Sequence, residues 1–451
     1  MSSKSTRVDM LNGSLVDKIV MFALPLAATS VLQQLFNAAD LAVVGRFASS
    51  TAMAAVGSNS SLISLLLSLF MGLSLGSNVL IASMIGRGQR EEINAAVHST
   101  IGISLACGMI VFVLGMFLAK PLLMLMSAPQ DVIDLAALYL RIYFFAVPFI
   151  MVYNFGSAIL RSKGDSKRPL IAMTIGGVLN VLLNLLLVVV FHLHVIGVAV
   201  ATVASNVISA AMVWFFLARE EEDFRLSIKK IRIRKSDLIT TLRVGLPAGL
   251  QGTVFSLSNV VIQSSVNSFG SLAVAGNTAA QNFDFIDFCV INSFVQAGVT
   301  FTSQNFAAGK YDRCKKVFRI VFGLGIGVGV VLCLLIFLLR GTLIQLFTTD
   351  PEVITYAMMR ITITLSVHFL IGTYEISGGC LRGMGKSLTP MIISICGTCA
   401  FRLIWVFTVV SIHHEFSTLM MVYPISWVIT GIVMTTAYLI TRKKLFAQAA
   451  V

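Results

Sequence analysis

Charge is scarce in this chain: 12% of its 451 residues are Asp, Glu, Lys or Arg, against roughly 25% in soluble domains. With 57% apolar residues and a mean hydropathy of +0.90, that shortage excludes an ordinary soluble protein. Short alternating strands are lacking too, which excludes a transmembrane barrel. No outer loop carries a cysteine, so a disulfide framework is not expected. Cys107, Cys289, Cys333, Cys380, Cys396 and Cys399 fall in apolar stretches, and Cys314 on the cytoplasmic side. The CGTC spacing at 396–399 has no second ligand pair and reads as small buried thiols. Neither a nucleophile–base pair nor an HExxH constellation is present, so no catalytic residue is assigned and an enzyme is not expected. The polar N-terminus is not followed by a small-residue cleavage site, as a cleaved signal peptide would require.

What the chain has is long oil. Runs such as SLISLLLSLFMGLSLGSNVLIASMI and VFGLGIGVGVVLCLLIFLLR match or exceed the roughly 20 residues that span hydrocarbon. The reading is an all-α polytopic membrane protein with twelve spans, near 15–45, 52–84, 93–119, 131–160, 168–191, 196–218, 237–268, 273–305, 314–340, 352–380, 388–411 and 416–441. Of 33 Lys and Arg, 27 fall at the termini and in alternate loops on one side, which puts both termini in the cytoplasm. Arg46, Lys120 and Arg340 lie on the other side, and Arg141, Arg360 and Arg402 within spans. The segment RLSIKKIRIRKSD is explained by the same rule, as a cytoplasmic loop, and no nucleic-acid partner is expected. Short tails without a targeting segment point to a prokaryotic cell (inner) membrane, and a monomer is expected.

The chain also repeats itself. LPLAATSVLQQLFNAADLAVVGRF (24–47) aligns with LPAGLQGTVFSLSNVVIQSSVNSF (246–269), matching Pro25 to Pro247, Asn37 to Asn259 and Phe47 to Phe269. LRSKGDSKRP (160–169) aligns with LRGMGKSLTP (381–390), Gly88 pairs with Gly309, and His192 with His413. The separation stays between 219 and 222 residues, so each half has six spans and both begin in the cytoplasm. The expected organisation is a cytoplasmic tail (1–14), an N-lobe (15–218), a basic linker (219–236), a C-lobe (237–442) and a cytoplasmic tail (443–451). Two parallel six-helix lobes suit alternating access, with substrate held between them near the midplane.

NAADLAVVGRF, ILRSKGDSKRP, FTSQNFAAGKYDR and CLRGMGKSLTP resemble the multidrug and toxic compound extrusion (MATE) family of secondary transporters, over nearly the whole chain from Leu15 to about Arg442. The resemblance implies cation-coupled efflux, Na⁺ or H⁺ entering as amphipathic organic cations leave, with no cofactor. It also implies a cation site inside the N-lobe, on spans one, five and six. Asp40 matches the family's acidic residue on the first span, NVLLN supplies Asn180 and Asn184, and GVAVAT supplies Thr202. The two asparagines are four apart and share one helix face. A carboxylate, two amide oxygens and a hydroxyl make a hard-oxygen cage for Na⁺; alternatively Asp40 carries a proton. Where Asn184 stands, some members have aspartate, so a scheme moving two protons through this lobe loses support. No other metal site is expected.

Three further acids lie in apolar surroundings: Asp284 and Asp287 on span eight and Glu375 on span ten. Carboxylates facing lipid are costly, so these should face a cleft or a partner. With Phe283, Tyr374 and Gln34 they are the candidate lining for lipophilic cations. Arg402 is the natural counter-charge for the trio. It also occupies the repeat position beside that of Asn180, which suggests a permanent surrogate ion in the C-lobe. Arg141 and Arg360 read as snorkelling anchors near the outer interface, and His98 and His368 receive no role. The alternative function is a flippase of lipid-linked saccharide or another amphiphile in the same superfamily; the intramembrane acids argue against its phosphate-bearing cargo.

Overall fold

A computed structural model describes residues 7–47, 50–125, 132–345 and 347–448. Among the described residues the chain is helical, with no strand. The first lobe's spans are α1 (Val16–Phe47), α2 (Ser50–Arg87), α3 (Arg90–Leu125), α4 (Ile133–Ser162), α5 (Lys167–Asn184) and α6 (His194–Ala218). The second has α7 (Lys235–Asn267), α8 (Ser271–Ala307) and α9 (Tyr311–Gln345). Its tenth span is α10 (Pro351–Ile363), a 3₁₀ stretch (Leu365–Leu370) and α11 (Ile371–Gly383). The eleventh begins as α12 (Leu388–Ser394), passes a π-helical stretch (Ile395–Ala400) into α13 (Phe401–Trp405), and ends in a second π stretch (Val406–Val410). The last is α14 (Phe416–Met420) with α15 (Val422–Gln448), so residues 443–448, expected as a tail, continue a helix.

Eleven of these spans are long and apolar enough to cross a membrane by length and composition. The twelfth, α7, is long enough at 33 residues but falls short in apolarity, because LQGTVFSLSNVVIQSSVN spreads Ser, Gln and Asn along it. It is the span that the repeat finds and hydropathy alone misses.

The duplication extends to the backbone. Gly88 and Gly309 both have φ +70°, while Gly164 has φ +94° and its counterpart Gly385 φ +76°. That left-handed conformation favours glycine. Each follows a helix, and the next amide closes a six-residue loop onto the helix end: Asp165 N–H to Leu160 O and Lys386 N–H to Leu381 O, both 3.0 Å. These are Schellman stops, which satisfy carbonyls that the helix leaves open.

Two compact units emerge from the packing: residues 1–9 with 28–246, and residues 10–27 with 247–451. The boundaries fall inside α1 and α7, next to Pro25 and Pro247, rather than in the 219–236 linker. Proline removes an N–H from the helical ladder and weakens the turn there. Within the second unit, the start of the chain is held by Asn305 and Arg313, which donate to Met10 O, and by Phe22 packing edge-on against Phe301. Within the first, the linker is an ordered strap. Phe224 and Leu226 are buried with Ile93 and Val97 of α3. The Ser227 N–H donates to His98 Nε2 at 2.9 Å and the Arg234 N–H to Ser99 Oγ at 3.0 Å.

Candidate functional site

In the first unit the four residues expected at the cation site lie on α1, α5 and α6. Asn184 is the last residue of α5 before its backbone widens into a π-helical stretch (Leu185–Val190); such stretches are frequent at functional sites. Its Nδ2 donates to Asp40 Oδ1 at 2.5 Å and to Asn180 Oδ1 at 3.2 Å. Asn180 Nδ2 in turn donates to Ser205 Oγ of α6 at 3.4 Å, and Ser205 Oγ donates to Thr202 O at 2.9 Å. Thr202 thus joins through its carbonyl, while its hydroxyl donates to Val198 O at 3.0 Å. Asp40 is half-buried, and Asn180 and Asn184 are buried. Asn184 Oδ1 is buried without a hydrogen-bond donor, a situation that costs about 1–3 kcal/mol. Ser205, three residues beyond Thr202, is the member sequence reasoning missed; the shared helix face was the available signal. Gln34 stands apart from this chain of bonds, half-buried and accepting from Asn37 at 3.2 Å.

Each of the three interior acids of the second unit has its own basic partner, and none of these partners is Arg402. Arg360, expected as a snorkelling anchor, is 3% exposed. It donates to Asp284 Oδ2 from NH2 at 2.6 Å and from Nε at 3.2 Å, and to Asn277 Oδ1 at 2.5 Å. Burial without a partner would leave a bare charge in a low-dielectric interior, so pairing displaces snorkelling. Asp287 accepts from His368, 2.7 Å away, which gives that histidine the contact the sequence did not suggest. Glu375 lies 3.8 Å from Arg382, which also donates to Gln251 at 2.8 Å. Phe283 packs in a buried cluster with Cys333 and Ile336, and Tyr374 is buried.

Arg402 is 1% exposed, and among the described residues no carboxylate lies within 4 Å of it, which overturns its expected role as the trio's counter-charge. Its guanidinium lies over the rings of Tyr423 (4.6 Å) and Phe255 (5.4 Å), and Nε donates to Ser426 Oγ at 3.2 Å. Aromatic faces attract a desolvated cation by roughly 2 kcal/mol each, and they stand in for the missing anion.

Twelve helical spans among the described residues, arranged as a sequence repeat of six and six, define a polytopic helical membrane protein. The MatE family model matches the chain twice, over residues 25–186 and 247–408, once in each half, and the chain belongs to that family. It is 31% identical over 383 residues to the probable multidrug resistance protein YoeA of Bacillus subtilis (strain 168), covering 83% of this chain and 82% of that protein. To the probable multidrug resistance protein NorM of Thermotoga maritima it is 26% identical, over 86% of this chain and 84% of the relative. Among solved structures, a MATE protein in complex with MaL6 superimposes with a TM-score of 0.91 at 22% identity, covering 98% of this chain and 99% of that one. An outward-facing MATE transporter of the MOP superfamily gives 0.90 at the same identity and coverage.

Proposed function

We propose that this protein is a cation-coupled antiporter that exports amphipathic organic cations by alternating access of its two lobes. The observation that carries the reading is the Asp40–Asn184–Asn180 cluster. A carboxylate in a bilayer span costs about 2.5–3.5 kcal/mol on insertion scales, and beside it an amide oxygen is buried without a donor. A Na⁺ ion held by Asp40 supplies both: it neutralises the carboxylate and gives Asn184 Oδ1 a partner. A proton on Asp40 supplies only the first. Relatives described as multidrug resistance proteins support an organic substrate. The protein acts as a monomer in a prokaryotic cell membrane, with both termini in the cytoplasm.

The decisive experiment is export of a fluorescent organic cation from reconstituted vesicles, with Na⁺ and pH gradients imposed separately. Export driven by either gradient, and lost in Asp40→Asn, is the expected result. Gradient-driven export by Asp40→Asn at the wild-type rate overturns the reading. A second reading, movement of an anionic amphiphile, is favoured by one observation: Arg402 is a buried cation without a carboxylate of its own. Transport of a phosphate-bearing amphiphile in the same vesicles, with none of the cation, would select it.

A further inference from the structure

The second lobe contains a titratable pair that takes no part in the Asp40 cluster. Asp287 of α8 is fully buried, and His368 is 4% exposed. Oδ2 of the acid and Nδ1 of the imidazole are 2.7 Å apart. A carboxylate can only accept, so Nδ1–H donates, and Nε2 is the nitrogen free to gain or lose a proton. The second carboxylate oxygen, Oδ1, is buried without an N–H or O–H donor, and the Cys333 thiol of α9 is the further group hydrogen-bonded to this carboxylate. Opposite it, α9 passes with Gly329, where a Cβ would come within 3.4 Å of Oδ1. On the other side, the Trp427 ring meets the imidazole edge to face at 5.1 Å, and its Nε1–H is buried without an acceptor. A carboxylate served beyond His368 only by a thiol, a weak donor, and an indole N–H without an acceptor therefore flank the pair.

His368 also lies in the 3₁₀ stretch Leu365–Leu370 that interrupts the tenth span. A stretch of 3₁₀ inside a longer helix often marks a functional hinge. The elements packed on it are α8, α9, α10, α11 and α15. Of the titratable groups on these elements, Cys333 of α9 is hydrogen-bonded to Asp287, and Asp284, one turn before it on α8, is paired with Arg360 of α10; Glu375 of α11 is paired with Arg382. Charge counting singles out the histidine. Three interior carboxylates (Asp284, Asp287, Glu375) stand against three guanidiniums (Arg360, Arg382, Arg402). Guanidiniums stay protonated, whereas imidazole is the side chain that changes charge near neutral pH. One proton on His368 takes this set of charges from zero to plus one.

We propose that Asp287 and His368 form a proton-binding site in the second lobe, loaded and emptied during the transport cycle, with Leu365–Leu370 as the segment whose geometry follows the proton. The proton comes from and returns to water, settles on Nε2, and turns a buried carboxylate hydrogen-bonded to a neutral ring into an ion pair. This rests on the transporter reading for its place in a cycle, but the binding of the proton is measurable without transport.

The test is a pH titration of the histidine ring signals in isotope-labelled protein, with His368→Gln identifying the resonance. The His368 signal should pass from its neutral to its protonated form within the pH range over which the protein stays folded, and the midpoint of that change should differ in Asp287→Asn, which removes the facing carboxylate. Where that variant does not fold, Asp287→Glu, which displaces the carboxylate by a methylene, should move the midpoint by a smaller amount. A His368 signal that is constant across the range, or a midpoint unmoved by the Asp287 variants, overturns the proposal. In vesicles, pH-gradient-driven export should fall about tenfold in His368→Gln, while affinity for the organic cation stays within about twofold; unchanged export overturns the place in the cycle. If the wild-type protein exports nothing, the antiporter reading fails, and the ring titration still decides whether the pair binds a proton.

Discussion

The two lobes carry the same polar scaffold and fill it differently. In the first, Asn180 on α5 donates to Ser205 on α6, which donates back to Thr202 O. In the second lobe the equivalent bonds are made by Arg402, one residue beyond the repeat counterpart of Asn180, and by Ser426 and Tyr423, which lie 221 residues from Ser205 and Thr202. There Arg402 Nε donates to Ser426 Oγ at 3.2 Å, and Ser426 Oγ donates to Tyr423 O at 2.8 Å. The contents have changed: Asp40 corresponds to Ile262, Asn184 to Trp405, and the hydroxyl of Thr202 to the ring of Tyr423. One lobe keeps a carboxylate with no basic partner within 4 Å among the described residues, and on the proposed reading its neutralising charge is an exchangeable ion. At the matching place the other lobe has no carboxylate and holds a guanidinium, which stays protonated. Similar hydrogen-bonded frames thus enclose side chains of opposite charge.

The sharpest way to break that contrast is Asp40→Asn. Export driven by an ion gradient should fall to the rate of protein-free vesicles while the protein remains folded, as judged by size-exclusion chromatography. Next in size is Asp284→Asn, which leaves Arg360 buried and unpaired and should cost about 3–5 kcal/mol of stability. Adding Arg360→Met should recover most of it, measured by thermal unfolding in detergent; no recovery would mean that the pair is not the reason for the loss. Arg402→Met probes the fixed charge itself. Because Arg402 has no carboxylate to abandon, the variant should fold, yet export should drop about tenfold, equivalent to about 1.4 kcal/mol. Folded protein with normal export would remove the surrogate-ion idea, and collapsed expression would make the residue purely structural. The smallest effect belongs to Thr202→Ala. Thr202 joins the cluster through its carbonyl, which the variant keeps, so the ion concentration for half-maximal export should change by less than about twofold; a larger rise would place the hydroxyl at the ion.

Much of the architecture could be read in advance, because spans and repeats are local or periodic signals. Asn180 and Asn184 were legible through the family resemblance, and their spacing of four residues added only that they share one helix face. The charge pairs were not legible. Arg360 lies 76 residues from Asp284, and His368 lies 81 from Asp287. Only packing decides which arginine meets which acid, and hydropathy placed Arg360 near an interface when it is one of the most buried cations. The polar character of α7 misleads in the opposite direction, since a span that packs against protein need not be apolar all round.

The exchange of helix ends between the two units has a genetic corollary. The first half-gene encodes residues 10–27, which complete the second unit, and the second half-gene encodes residues 237–246, which complete the first. Each product made alone would lack a strip of its neighbour's wall, and cleaving the chain at 219–236 would not yield two self-sufficient pieces. The halves are therefore bound to be inherited, synthesised and assembled as one, although they descend from a single six-helix pattern.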